Sequence, residues 1–168
     1  MIKKLILALL VALPLSAAAQ KFGTVDIDQV LQVMPEVADM QRQITEASQK
    51  YEAEFQKLVE EVNKLYTEFQ SIAEDPATPQ TIKERRMQEI QDRQQKVEQF
   101  RNTATQDLQR QQEQLMGPIQ ARLTEAIKAV GQEGSFTFIF PNDPSLVLYQ
   151  GTDVVDVTAT VKAKLGIK

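Results

Sequence analysis

The chain has 168 residues, 19 Lys+Arg against 23 Asp+Glu, and neither cysteine nor histidine. Without thiols or imidazoles there are no disulfides, no Cys or Ser–His catalysis and no ordinary zinc site. The acidic balance argues against a phosphate-neutralising surface, so no nucleic-acid partner is expected.

The first stretch, MIKKLILALLVALPLSAAAQ, places Lys3 and Lys4 before an apolar run from Leu5 to Leu13. Pro14 breaks the run, and Ala17-Ala18-Ala19 offers small residues to a signal peptidase. The run is too short for a membrane anchor and reads as a secretory signal cleaved near Ala19. Residues 1–19 are therefore assigned to the signal peptide. The chain from Gln20 onward keeps 17 basic and 23 acidic residues. Residues 20–35 open a small β-rich body: Lys21 to Asp26 reads as a strand, and Asp28 as the cap of a short helix through Leu31. Asp26 and Asp28 alone are too few oxygens for calcium. No metal, cofactor or catalytic residue is expected, and the six scattered glycines make no phosphate loop. The protein reads as a non-enzyme.

Residues 36–116 carry a helical period. Val37, Ile44, Tyr51, Leu58, Leu65 and Ile72 recur every seven residues, and Phe55, Val62 and Phe69 supply part of the companion column. Such a repeat, bordered by charge, predicts a coiled coil. Its first helix starts after Pro35 and ends at Ala73 or Glu74, before Asp75-Pro76. A polar tip spans 74–81, and Thr78-Pro79 is read as the N-cap and first position of a return helix. A loop this short predicts antiparallel neighbours. Ile90 then opposes Leu65, Val97 opposes Leu58, and Phe100 opposes Phe55. The return arm contributes a thinner apolar stripe and holds 11 glutamines between Gln80 and Gln114. Four apolar residues flank the seam: Val59 and Tyr66, one position past the Val37 column, and Met40 and Ala47, one position before the companion column and nearer the body. Either they thicken the seam or they are partly exposed and touch a partner.

Residues 117–168 return to the body. Gly117-Pro118 is expected to kink a helix that continues to about Val130. SFTFIF and SLVLYQ alternate like strands and are read as a hairpin around Pro141–Pro144. Asp153 to Asp156 adds a short extended piece, and Thr158 is read as the cap of a closing helix that stops at Gly166. Phe22, Val25, Phe136, Phe138, Phe140, Leu146 and Leu148 form the expected body core. A body this small buries too little by itself and leaves strand edges open, so association of several copies is expected.

Three motifs, FGTVDIDQVLQVMPEV, LMGPIQARLTEAIKAVGQEGSFTFIF and VLYQGTDVVDVTATVKAKLG, resemble the Skp/OmpH family of periplasmic chaperones for outer-membrane proteins. The resemblance spans nearly all of the chain after the signal. It implies an α+β fold: a small β-rich trimerisation body bearing a long antiparallel helical hairpin, a coiled-coil tentacle whose tip is 74–81. It further implies a periplasmic homotrimer that holds unfolded outer-membrane proteins in a cavity between its arms, without ATP. One departure concerns charge. Such proteins are commonly basic, whereas the first arm here has 10 acids and 4 bases over 36–75. The acidic balance argues against binding anionic lipid or lipopolysaccharide. The alternative expectation is a structural or adaptor coiled coil of the envelope; the polar tip argues against it.

Overall fold

A computed structural model describes residues 20–167; the expected signal peptide, residues 1–19, lies outside them. The described chain is mostly helical with one small sheet. Its elements are β1 (Phe22–Val25), α1 (Ile27–Leu31), α2 (Pro35–Ala73), α3 (Gln80–Glu133), β2 (Phe138–Pro141), β3 (Val155–Asp156) and α4 (Thr158–Lys164). Two compact units divide it: one of residues 20–30 together with 125–167, the other Leu31–Thr124.

In the first unit β1 is the central strand, flanked by β2 and β3 in the order β2-β1-β3. Both pairings are parallel; Phe22 aligns with Phe138, Thr24 with Phe140, and Gly23 with Val155. This corrects the expected hairpin. Residues 145–150 form no strand, and β2 pairs instead with β1 across more than a hundred residues of chain. The apolar alternation of SLVLYQ marks a segment able to extend but supplies no partner for it. The core is aliphatic: Val25, Val30, Val130, Val157, Val161 and Leu165 are all buried. Thr158, also buried, accepts the Asp26 amide on its hydroxyl at 2.9 Å and so ties α4 to the end of β1.

Three cap assignments are corrected. Asp26, not Asp28, caps α1, its carboxylate accepting the Gln29 amide at 2.8 Å. At α4 the N-cap position is Val157, and Asp156, just before it, accepts the Thr158 amide at 2.8 Å, while Thr158 is the first helical residue. The Thr158 hydroxyl and amide hold the Asp156 carboxyl below its usual range. At the tip, Asp75 accepts the Ala77 amide and the Thr78 hydroxyl. Those two donors, the hydroxyl first, depress its pKa. Thr78 thus serves Asp75 rather than the helix. The Pro79 carbonyl takes the first helical bonds of α3, from Ile82 at 3.0 Å and Lys83 at 3.3 Å.

The expected helix end near Val130 also moves. Pro118 lies inside α3, which continues to Glu133. Its closure uses Gly134, whose amide bonds the Val130 carbonyl, and Ser135 at φ 53°, followed by the Phe136 amide on the Gly131 carbonyl. A Cβ at Gly134 would stand 2.4 Å from the Phe136 ring, so only glycine admits that ring. Gly131 is under no such constraint, since a Cβ there would meet Ile139 at an ordinary contact distance of 3.5 Å.

The second unit contains α2 and most of α3. Its cross-helix contacts run in opposite senses along the two helices. Glu36 pairs with Arg122, the Tyr51 ring meets Phe100 at 6.0 Å, and Glu61 pairs with Arg93 at 3.0 Å. Near the tip, Lys83 donates to the Ala73 carbonyl at 2.8 Å. At ~1.5 Å per residue, the 39 residues of α2 extend about 58 Å.

Candidate functional sites on the sheet and the helix pair

In a strand, alternate side chains share a face. Phe22 and Phe138 stack with ring centroids 6.3 Å apart and planes 4° from parallel. Phe140 continues the stack 5.8 Å from Phe138. These three rings share one face of the sheet. The opposite face carries Gly23, Val25 and Ile139 and packs on the end of α3. The aromatic face is open: Phe138 is 58% exposed and Phe140 45%. Beside it Leu146, Leu148 and Tyr149 stand free in the non-strand segment. Together with Phe22, Thr24 and Phe140 they line a groove of about 450 Å³.

Of the expected body-core residues, Phe22, Phe138, Phe140, Leu146 and Leu148 therefore gather on this side. Val25 is buried behind the sheet. Phe136 also leaves the group. Its ring lies against Gly23 on the rear face, with the Lys21 ammonium 4.1 Å from the ring centre. The φ of Ser135 turns the chain there, so the alternation of 136, 138 and 140 is broken at its first member.

On the helix pair, Val37, Ile44, Tyr51, Phe55, Leu58, Val62, Leu65, Phe69 and Ile72 are half-buried. So are Val97 and Phe100 on α3, where Ile90 is buried. Met40 is the one buried residue of α2. Read from sequence as a flank residue, it belongs to the contact itself. It precedes Leu58 by 18 residues, five turns at ~3.6 residues per turn, and so lies directly below Leu58 on the helix. A strict seven-residue column drifts ~20° per heptad around a straight helix. Toward its start, the contact has therefore passed from the Val37 column to Met40. Leu115, Pro118 and Ile119 line the same groove as Met40, of about 390 Å³.

A partly buried polar contact crosses the seam. The Tyr51 hydroxyl donates to the Asp107 carboxylate, which also accepts the Gln111 amide and pairs with Arg110. Ala47 lines a groove of about 440 Å³ next to it, with Lys50, Tyr51 and Gln111. The grooves at Met40 and Ala47, together with the Glu61–Arg93 pair, lie on one side of the helix pair. A third groove, of about 190 Å³, is lined by Ser48, Glu52, Phe55, Arg101 and Thr105. It opens on the other side, since Glu52 is about 200° around the helix from Lys50 at ~100° per residue.

Val59 and Tyr66 lie one and two heptads beyond Glu52, hence on that second side. Val59 is half-buried and Tyr66 is 49% exposed. Met87, two heptads before Arg101 and 37% exposed, shares the side and was missed in the sequence reading. Its signal was available: it is an apolar residue off the seam in a run of charged and amide residues. Tyr66 and Met87 are the large hydrophobic residues of α2 and α3 that are exposed among the described residues.

No group of three or more acidic side chains among the described residues could hold a metal ion, and no described helix is long and apolar enough to cross a membrane. No curated protein matches the chain. The model of one family, described as "Outer membrane protein (OmpH-like)", matches residues 21–165, which takes in both units and every surface described above. The chain therefore belongs to the OmpH-like family, the Skp/OmpH family of periplasmic chaperones for outer-membrane proteins.

Proposed function

We propose that the protein is an ATP-independent holdase. It binds unfolded outer-membrane proteins in a cavity between helical arms and prevents their aggregation in the periplasm, after cleavage of its signal peptide near Ala19. In this reading the body comprises residues 20–35 and 117–168, and the arm is an antiparallel coiled-coil hairpin over 36–116. Three copies associate through their bodies. The protein is not an enzyme, needs no cofactor and binds no nucleic acid.

The observation that carries the reading, beside the family, is the open aromatic face of the sheet. Phe138, Phe140, Leu146, Leu148 and Tyr149 present a contiguous apolar surface that a soluble single copy would expose to water. The parts of Phe138, Phe140 and Tyr149 still exposed amount to roughly 300–450 Å² at about 150–250 Å² per whole ring residue, up to about half of the roughly 800 Å² that one partner contributes to a stable interface. Closing three such faces on one another also covers the strand edges of β2 and β3. The helix pair supplies the second half. Its residues are mostly half-buried, with few fully buried side chains, so the pair deforms at modest cost. A client held by many weak apolar contacts on such arms leaves by mass action, as a compartment without ATP requires.

The test is dilution of a urea-unfolded outer-membrane protein into buffer with the mature chain and no nucleotide. Suppressed light scattering, lost when Phe138 and Phe140 are both replaced by Ser and assembly fails, supports the reading. Undiminished aggregation at a threefold excess of the intact protein would overturn it.

A further inference from the structure

The two sides of the helix pair differ in chemistry. On the first, Lys50, Lys57 and Lys64 recur every seven residues, Arg93 pairs with Glu61, and Lys57 pairs with Glu54. Acids and bases alternate there, and all are strongly hydrated. On the second, the seven-residue columns read Glu52-Val59-Tyr66, Gln56-Asn63-Gln70 and Met87-Gln94-Arg101. Amides and three apolar side chains dominate. The cations near this side have acidic neighbours: Arg101 pairs with Glu98 at 3.0 Å, and Lys83, which donates to the Ala73 carbonyl at 2.8 Å, also acts on the Asp75 carboxylate. The carboxylates of Glu52 and Glu84 meet only neutral glutamine amides, from Gln56 and Gln80.

Helix solvation asks only for polar or charged residues on the outward sides, and it does not account for the exposed Tyr66 and Met87 sharing one of them. An apolar side chain of a client displaces little bound water from amides and from Val59, Tyr66 and Met87. On the first side it would have to strip water from charged heads. The uncompensated charge on the second side is negative, so it attracts cationic flanks on a bound segment and repels acidic ones.

We propose, on the holdase reading, that the side carrying Val59, Tyr66 and Met87 is the client-holding surface. Its ligand is an extended polypeptide segment, aromatic or aliphatic at alternate positions and flanked by Lys or Arg rather than Asp or Glu. Alternation suits an extended chain laid along the pair, because every second side chain then faces the same way.

The probes are two fluorescent synthetic peptides with the same alternating Phe-Ser centre, one flanked by lysines and one by glutamates. Binding to the full mature protein is read by anisotropy at low and high salt. The lysine peptide should bind about three- to tenfold more tightly at low salt, with the gap closing above ~0.5 M. The triple variant Val59→Gln, Tyr66→Gln, Met87→Gln should weaken both peptides about tenfold or more. The pair Glu52→Gln, Glu84→Gln should remove the preference and leave the glutamate peptide bound as well or better. Two control variants on the first side, Lys57→Gln and Lys64→Gln, should change neither affinity by more than about twofold.

Equal binding by the triple variant overturns the assignment, as does preference for the glutamate peptide. A changed oligomeric state of the triple variant at unchanged peptide affinity overturns it too, and makes this side a contact between copies. Protection of an unfolded outer-membrane protein by the wild type, measured in parallel, separates the two readings. Protection retained in the triple variant sinks the surface and spares the holdase. Peptide binding without any protection sinks the holdase and spares the surface.

Discussion

Replacing Met40 by Ala tests whether the helices pair as straight or as supercoiled rods. Met40 is 7% exposed, so nearly its whole side chain is removed from water, a burial worth roughly 1.5–3 kcal/mol. An enclosed cavity would add to that on truncation. Here the groove of about 390 Å³ beside Met40 already admits solvent, which fills the space and limits the added cost. The expected loss is therefore about 2 kcal/mol. Val37, three residues earlier and on the nominal heptad column, is half-buried. Two methyl groups at ~0.8 kcal/mol each, about three-quarters covered, give about 1.2 kcal/mol for Val37→Ala. Urea unfolding followed by helical circular dichroism measures both. A midpoint shift on the order of 10 °C for Met40→Ala should accompany it on heating. If Val37→Ala costs as much as Met40→Ala, the seam follows the seven-residue column and the drift argument fails.

Three further outcomes are expected. Tyr51→Phe should cost about 1 kcal/mol, because Asp107 keeps Gln111 and Arg110 after losing the hydroxyl; an unchanged urea midpoint would show that the cross-seam bond contributes nothing. At Ser135, φ 53° favours glycine. Ser135→Gly should be neutral or stabilise by about 0.5 kcal/mol, while Ser135→Val should destabilise by more than ~1 kcal/mol, and the reverse order in thermal unfolding would contradict the closure described for α3. Asp156 has a folded pKa below its unfolded value, so its contribution is complete above pH ~4 and is lost as pH falls through the depressed folded value. Asp156→Asn should lower stability near neutrality and flatten the acid limb of the stability–pH curve, and an acid limb identical to wild type would refute the cap.

What the sequence disclosed, and what it hid, divides along physical lines. Pro35 and Asp75-Pro76 act on the local backbone, and α2 accordingly runs Pro35–Ala73. The caps at α1 and α4 were displaced because an Asp side chain reaches amides two or three residues ahead. Asp26 and Asp156 therefore stand outside their helices, while Asp28 and Thr158 lie within them. The strand runs were legible as extended chain, but their partners were not. Parallel pairing of β2 with β1 depends on Ile139 and Phe136 fitting over Gly23, a contact between residues more than a hundred positions apart. Met40 escaped because a heptad template assumes 3.5 residues per turn along the whole helix. Tyr66 stood off the seam in the pattern, and its exposure follows from the same geometry. Met87 needed the second helix to be placed beside the first before its side could be assigned.

The central claim is that several copies of this chain hold an unfolded outer-membrane protein without an energy source. Native mass measurement of the mature protein, mixed with a urea-unfolded outer-membrane protein and no nucleotide, addresses it in one experiment. A trimer alone, and one added client mass per trimer in the mixture, are the expected result. A folded monomer, or a trimer that gains no client mass while the client aggregates beside it, would contradict it.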